Sequence, residues 1–188
     1  PPSFPPVHEA TATRTAPLWI DDGARTLAAI EASARLARRK HGVAVVAVDY
    51  LQLIDHAAEN RTQAVTQISG RLKALARDLD VPVLALSQLS RGIATREDKR
   101  PTLADLRESG AIEQDADAVL FLYREDYYLE RAEPHPTAKE GDEQFALRLR
   151  RHVDLLAAAR GGAEINVAKN RNGPTATIKA RFDQARMR

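Results

Sequence analysis

The chain has 188 residues, 44% of them hydrophobic and 29% charged, enough to bury the core of one soluble domain. It contains no cysteine, which excludes a disulfide framework, a thiolate nucleophile and a Cys-based zinc site, and which fits a reducing cytoplasm. No run of about 18 apolar residues marks a membrane span, and a net charge of +2, from 28 basic and 26 acidic residues, gives no global signal for nucleic acid.

Residues 1–17 hold five of the ten prolines and read as an extended or partly helical lead-in. Leu18–Trp19–Ile20 reads as a short strand closed by Asp21–Asp22–Gly23. From Arg25 to Lys40 the spacing predicts a helix, with Leu27, Ile30, Ala34 and Leu36 on one side and arginines on the other; Gly42 stops it. Val43–Asp49 has the near-continuous apolar pattern of a central parallel strand covered on both faces. Asn60 followed by Gln63 resembles a capping box and starts a helix to about Asp80, whose buried stripe is Val65, Ile68, Leu72, Leu75, Ala76 and Leu79. Val81–Ser87 is a second apolar strand, with Pro82 where a missing N–H costs least.

Residues 90–104 lack periodicity and carry many charges, so a surface loop is predicted. Ala118–Tyr123 is a third core strand. A Pro- and charge-rich segment follows, then a helix from about Gly141 to Arg160 ended by Gly161–Gly162. Ile165–Lys169 and Thr175–Arg181 alternate as paired strands, and the Asn172–Gly173 step between them signals a hairpin. This order implies an α/β sheet finished by antiparallel strands.

Three constellations carry chemistry. Asp49 ends a core strand, where α/β folds bind ligands outside the carboxyl ends of their strands. A carboxylate there either holds the water shell of a Mg²⁺ bound to ATP phosphates or simply caps the next turn. Gln88 ends the second strand; beside Asp49, its amide suits a γ-phosphate or an attacking water, though a polar strand end is also an ordinary feature. Asp105–Asp117 mixes charges with Gly110 and small residues. Backbone N–H groups near Gly110 allow close approach to a phosphodiester and Arg107 supplies charge, although charged loops are commonly just solvated. Lys169 and Arg171, two apart on an extended hairpin, point the same way: toward a neighbouring subunit's γ-phosphate as an arginine finger, or into solvent to keep a sheet edge soluble.

These segments occur together and in order. Val48–Leu53, Ala85–Arg91, Asp98–Pro101, Asp105–Asp117 and Lys169–Pro174 closely resemble the bacterial replicative DNA helicases of the DnaB type, over about residues 17–182 and clearly throughout except 130–162. The resemblance implies a RecA-like ATPase core: α/β, a mainly parallel sheet with helices on both faces, and a C-terminal antiparallel hairpin. It implies ATP and Mg²⁺ as cofactors, a hexameric ring around single-stranded DNA, primase and a helicase loader as partners, and a cytoplasmic site of action without a membrane. It also implies residue roles: Asp49 as the Walker B carboxylate holding Mg²⁺ through water, Gln88 as γ-phosphate sensor, and Arg171 with Lys169 reaching a neighbour's nucleotide. Arg107, Glu108 and Gly110 match the family's DNA-backbone loop.

Two departures stand out. Asn170 and Ala176 replace residues usually Gln and Gly in the family. None of the nine glycines opens a Gly-Lys-Ser/Thr phosphate loop. The expectation is therefore that residues 18–188 are the C-terminal portion of a motor domain, that 1–17 lead into it, that 130–162 are an insertion, and that this stretch alone is inactive. The rivals are a non-catalytic homologue that binds helicase subunits or DNA, and a RecA-like recombination or regulatory ATPase; the Leu106–Gly110 and Arg171–Pro174 blocks weigh against the latter.

Overall fold

The computed structural model describes residues 17–58, 60–137 and 140–186, apart from the side chains of 107–109. The lead-in expected over 1–17 lies, but for Pro17, outside the described residues. Helix α1, Leu27–His41, opens where the Thr26 hydroxyl accepts the Ala29 N–H at 3.2 Å. It closes at Gly42, whose φ of 64° lets its N–H turn back to the Arg38 carbonyl. Strand β1, Val46–Val48, follows, then helix α2, Arg61–Leu79, capped where Asn60 Oδ1 accepts the Gln63 N–H at 2.9 Å. Strand β2, Val83–Ala85, pairs in parallel with β1, Val46 opposite Val83 and Val48 opposite Ala85.

Helix α3, Gly110–Asp115, leads into β3, Ala118–Tyr123. Short helix α4, Glu125–Leu129, and α5, Asp142–Ala159, precede the hairpin of β4, Gly162–Asn170, and β5, Ala176–Arg181. Strand β3 pairs antiparallel with β4 and β4 with β5, giving a sheet of three antiparallel strands beside the parallel pair β1–β2.

Two apolar clusters hold these layers. Leu27 and Ala34 of α1, Ile68, Leu72 and Leu75 of α2, and Val48 and Leu51 form the first; Leu106, Val119 and Phe121 form the second. Ile112 of α3 packs against both. A helix of six residues is too short to stand alone, so α3 depends on the partly buried Ile112.

Three sequence expectations change. Leu18–Trp19–Ile20 form no strand; Leu18 and Ile20 are 79% and 83% exposed, and Trp19 stacks instead on His41 at 4.4 Å. A strand needs a partner for its N–H and C=O groups, and among the described residues none pairs there. Val43–Asp49 has one face on α1 and α2, while Val45, Leu84 and Leu86 on the opposite face are exposed among the described residues. The 90–104 stretch is more than loop: short 3₁₀ turns run over Arg91–Thr95 and Leu103–Ser109, and Ile93 is buried. Asp105 organises it. Its carboxylate accepts from the Thr102 N–H at 2.7 Å, the Thr102 hydroxyl at 3.0 Å and Arg96 at 2.9 Å. Arg100 then forks onto Glu164 of β4 at 2.8 and 2.9 Å and lies 4.6 Å from the Tyr123 ring, clamping this stretch to the antiparallel sheet.

Helix α5 forms close to the expected bounds, with none of its residues buried among those described. Its base is secured by Asp126, 1% exposed, which accepts from Arg124 at 3.1 Å and from the Gly161 N–H at 3.3 Å. Gly161 has a φ of 72°, a conformation an L side chain resists.

Candidate nucleotide and nucleic-acid site

The β1–β2 ladder extends past the strands. The Leu86 N–H donates to the Val48 carbonyl at 2.9 Å, and the Leu51 N–H donates to the Leu86 carbonyl at 2.9 Å. Asp49 thus sits between two backbone ties to the second strand, at the C-terminal rim. The same rim carries Gln88. Its N–H donates to Gln52 Oε1 at 3.1 Å, while Gln52 Nε2 donates to Ser87 Oγ at 2.9 Å and to the Gln88 carbonyl at 3.4 Å. Gln52 fixes where Gln88 leaves the sheet. Among the described residues, the Asp49 carboxylate and the Gln88 side-chain amide are exposed and make no hydrogen bond.

Asp49 is suited to a hard cation. Among the described residues no three His, Asp or Glu side chains come together as a ligand set. A single exposed carboxylate at a strand end fits Mg²⁺, which keeps several waters and takes its remaining ligands from phosphate oxygens.

Lys169 and Arg171 form a second group. Strand β4 carries Lys169 opposite Val119, and its ammonium donates to the Glu113 carbonyl and, at 3.4 Å, to the Gln114 carbonyl. These carbonyls end α3, where a cation also meets the negative end of the helix dipole. Arg171 lies just beyond β4. Its N–H donates to the Asp117 carbonyl at 2.7 Å, Nη1 to Asp117 Oδ1 at 3.1 Å and Nη2 to the Gln114 carbonyl at 3.1 Å. The two basic side chains converge, but on the end of α3 and on Asp117 of their own chain rather than outward from the sheet edge. The other Asp117 oxygen accepts from Lys73 of α2. The Lys73 ammonium, by hydrogen bonding, and then Arg171 and Arg77 by charge hold the Asp117 carboxyl below the usual carboxylate range.

Of the expected DNA-contacting residues, the side chains of Arg107 and Glu108 lie outside those described; their backbone runs in the 3₁₀ turn Leu103–Ser109. Gly110 starts α3 with φ −49° and ψ −26°, and a Cβ built there meets no atom within 4 Å. One short helix therefore separates this turn from the carbonyls that seat Lys169 and Arg171.

The sequence reading missed Gln52, Lys73 and Asp117. Asp117 was legible in one respect: antiparallel pairing of Ala118 with Asn170 sets an acid opposite Arg171. Gln52, in a 3₁₀ turn, and Lys73, on α2, carry no such signal, because no strand register sets a partner opposite them.

Comparison with known proteins gives the family. Residues 5–188 match the model of the DnaB-like helicase C terminal domain. The replicative DNA helicase DnaB of Rickettsia bellii is 46% identical over 178 residues, covering 93% of this chain and 35% of that protein. That of Geobacillus stearothermophilus is 43% identical over 169 residues, covering 88% and 32%. The chain thus spans about a third of the length of these curated relatives. Among solved structures, a DnaB-like replicative helicase described with its interactions with primase superposes with a TM-score of 0.67 at 40% identity, covering 88% of this chain and 35% of the other. A second solved structure, of an ATPase domain, gives 0.64 at 41%, covering 84% and 48%.

Proposed function

The chain belongs to the family of DnaB-like helicase C-terminal domains, and we propose that it forms part of the ATP-driven motor of a replicative helicase that translocates on single-stranded DNA as a hexameric ring. On this reading residues 18–188 are the C-terminal portion of the motor, 130–162 an insertion in it, and the site of action the cytoplasm. Primase and a helicase loader are its protein partners.

The observation that carries this reading is the division of the polar groups into two half-sites. Asp49 and Gln88 are stitched to one strand-end rim by the Leu86 and Gln52 hydrogen bonds. Lys169 and Arg171 are seated on the α3–β3 link and share no hydrogen bond with that rim among the described residues. Two half-sites of complementary chemistry suit a nucleotide held between subunits. Asp49 would hold Mg²⁺ through water, an ion that would neutralise phosphate charge, and Gln88 would hydrogen-bond the γ-phosphate or the attacking water. Arg171, with Lys169, meets the charge that develops on the neighbour's γ-phosphoryl group. The Arg107–Gly110 turn holds DNA phosphates by charge and backbone N–H, which suits sequence-independent movement.

Mixing full-length subunits tests it. Asp49→Asn and Arg171→Ala rings are each expected to lose DNA-stimulated hydrolysis while still binding nucleotide. Mixed rings contain interfaces with an intact Asp49 on one side and an intact Arg171 on the other, so turnover returns. Mixtures as inactive as their parents would sink the shared-site reading. A non-catalytic module, favoured only by the lack of a Gly-Lys-Ser/Thr stretch in these residues, predicts that neither substitution alters turnover.

A further inference from the structure

We propose that Asp117 is the positioning residue for Arg171: it keeps the guanidinium extended and seated until a phosphate takes it over, and Lys73 makes that exchange possible. This rests on the arginine-finger reading of Arg171. The backbone of Arg171 is fixed independently of its side chain, because its N–H bond to the Asp117 carbonyl, at 2.7 Å, continues the β3–β4 pairing. The side chain is held by less. Nη1 makes one 3.1 Å contact with Asp117 Oδ1 and Nη2 one with a carbonyl, and the two paired side chains are 47% and 55% exposed. Solvent screens such a pair, so it orients the group without trapping it, and a phosphate with more charge and three acceptor oxygens displaces it.

Displacement ordinarily leaves a carboxylate without its cation. Here the second oxygen of Asp117 is already engaged by Lys73, whose side chain is only 20% exposed. Asp117 therefore stays compensated when Arg171 leaves. The same seat bears on DNA: Asp117 follows α3 closely, α3 starts at Gly110, and Ile112 locks it to both apolar clusters. Displacement of the Arg107–Gly110 turn would reach Arg171 through this one short helix.

The test uses the full-length protein and Asp117→Asn, which keeps the shape and removes the charge. DNA-stimulated kcat is expected to fall by about 3- to 30-fold with KM for ATP within about twofold, the pattern of a misplaced group acting only in the transition state. Affinity for ADP with aluminium fluoride, which mimics the transferring phosphoryl, should fall with kcat while affinity for ADP alone is unchanged. In an Arg171→Ala background, Asp117→Asn should shift the aluminium fluoride affinity by less than about twofold, since its route is gone. Should Asp117→Asn fail to fold, Lys73→Met carries the test: Asp117 then depends on Arg171 alone, releases it less readily, and kcat falls at constant KM. Wild-type kcat in these variants beside a disabled Arg171→Ala overturns the positioning role alone, as does an equal loss of affinity for ADP. Full turnover in Arg171→Ala overturns the finger reading and this inference with it.

Discussion

The side-chain amide of Gln52 clasps the backbone of Gln88: its oxygen accepts the Gln88 N–H at 3.1 Å, and its nitrogen donates to the Gln88 carbonyl at 3.4 Å and the Ser87 hydroxyl at 2.9 Å. The proposed sensor is thus aimed by a residue that follows the other strand. Gln52→Ala removes all three contacts and is expected to cost about 1–2 kcal/mol in urea unfolding. In the full-length enzyme it should lower kcat more than it raises KM, because a loosened Gln88 loses alignment rather than binding. Gln52→Glu keeps the acceptor for the Gln88 N–H and loses both donations, so its effect should fall between. Wild-type kcat in Gln52→Ala would mean that the clasp only ties strands together.

Asp105 predicts a pH dependence of stability. Burial pushes its carboxyl up, but the Thr102 N–H and hydroxyl and Arg96 outweigh this and hold it below its ordinary value. The native state therefore binds this proton less readily than the unfolded chain. The stabilisation is complete above the unfolded value, near pH 4, and is lost as pH falls through the lower folded value. Unfolding free energy measured from pH 6 down to pH 3 should drop less in Asp105→Asn than in wild type. At pH 7 the substitution should cost about 1.5–3 kcal/mol, the worth of a hydrogen bond to a charged group, since Arg96 is 36% exposed and is solvated once its partner is gone. Parallel pH profiles would remove Asp105 from the acid sensitivity.

Much of this was legible in the sequence, for identifiable reasons. Helices α1 and α2 follow from apolar spacing and from local stop and start chemistry at Gly42 and Asn60, which needs no distant partner. The β4–β5 hairpin is signalled by its Asn-Gly step, although the strands are joined by the longer connection 171–175 and Gly173 does not take the positive φ of a tight two-residue turn. That Lys169 and Arg171 share a side follows from their two-residue spacing, but their seat on Glu113, Gln114 and Asp117 of the same chain does not. What could not be read depends on long-range company. Leu18–Ile20 has strand composition, but composition cannot supply a neighbouring strand. The order within 90–104 comes from one carboxylate gathering three donors, a pattern without period. Gln52 and Lys73 act through partners that only the fold brings near.

Asp80 closes α2 with a φ of 50°, the one left-handed residue other than glycine among those described. Its N–H turns back to the Ala76 and Arg77 carbonyls, so the conformation is fixed by helix termination. A β-carbon is disfavoured there, and Asp is merely among the residues that tolerate it. Asp80→Gly should therefore stabilise the protein by about 0.5–1 kcal/mol, the relief of strain exceeding the added freedom of the unfolded chain. Thermal unfolding checks this; a lower Tm would show that the Asp side chain contributes a contact of its own.

The proposed DNA turn offers two substitutions that separate charge from close approach. Leu106, 6% exposed and packed with Val119 and Phe121, anchors its start, and Gly110 begins α3 at its end. A variant between these anchors should leave the fold intact. Arg107→Ala removes one cation, so single-strand affinity should fall and the slope of log K against log salt should flatten by about 0.7, the share of one phosphate contact on a single strand. Gly110→Ala leaves charge untouched. Its helical φ and the open space at its Cβ make alanine tolerable in the free protein, and helix propensity favours it. A phosphate that lies against the bare Gly110 backbone would meet the new methyl group, so affinity should fall with the salt slope unchanged. Titrations of a labelled single strand across a salt series distinguish the two. Equal slopes for wild type and Arg107→Ala would take Arg107 out of the contact, and wild-type affinity for Gly110→Ala would mean that the backbone keeps its distance.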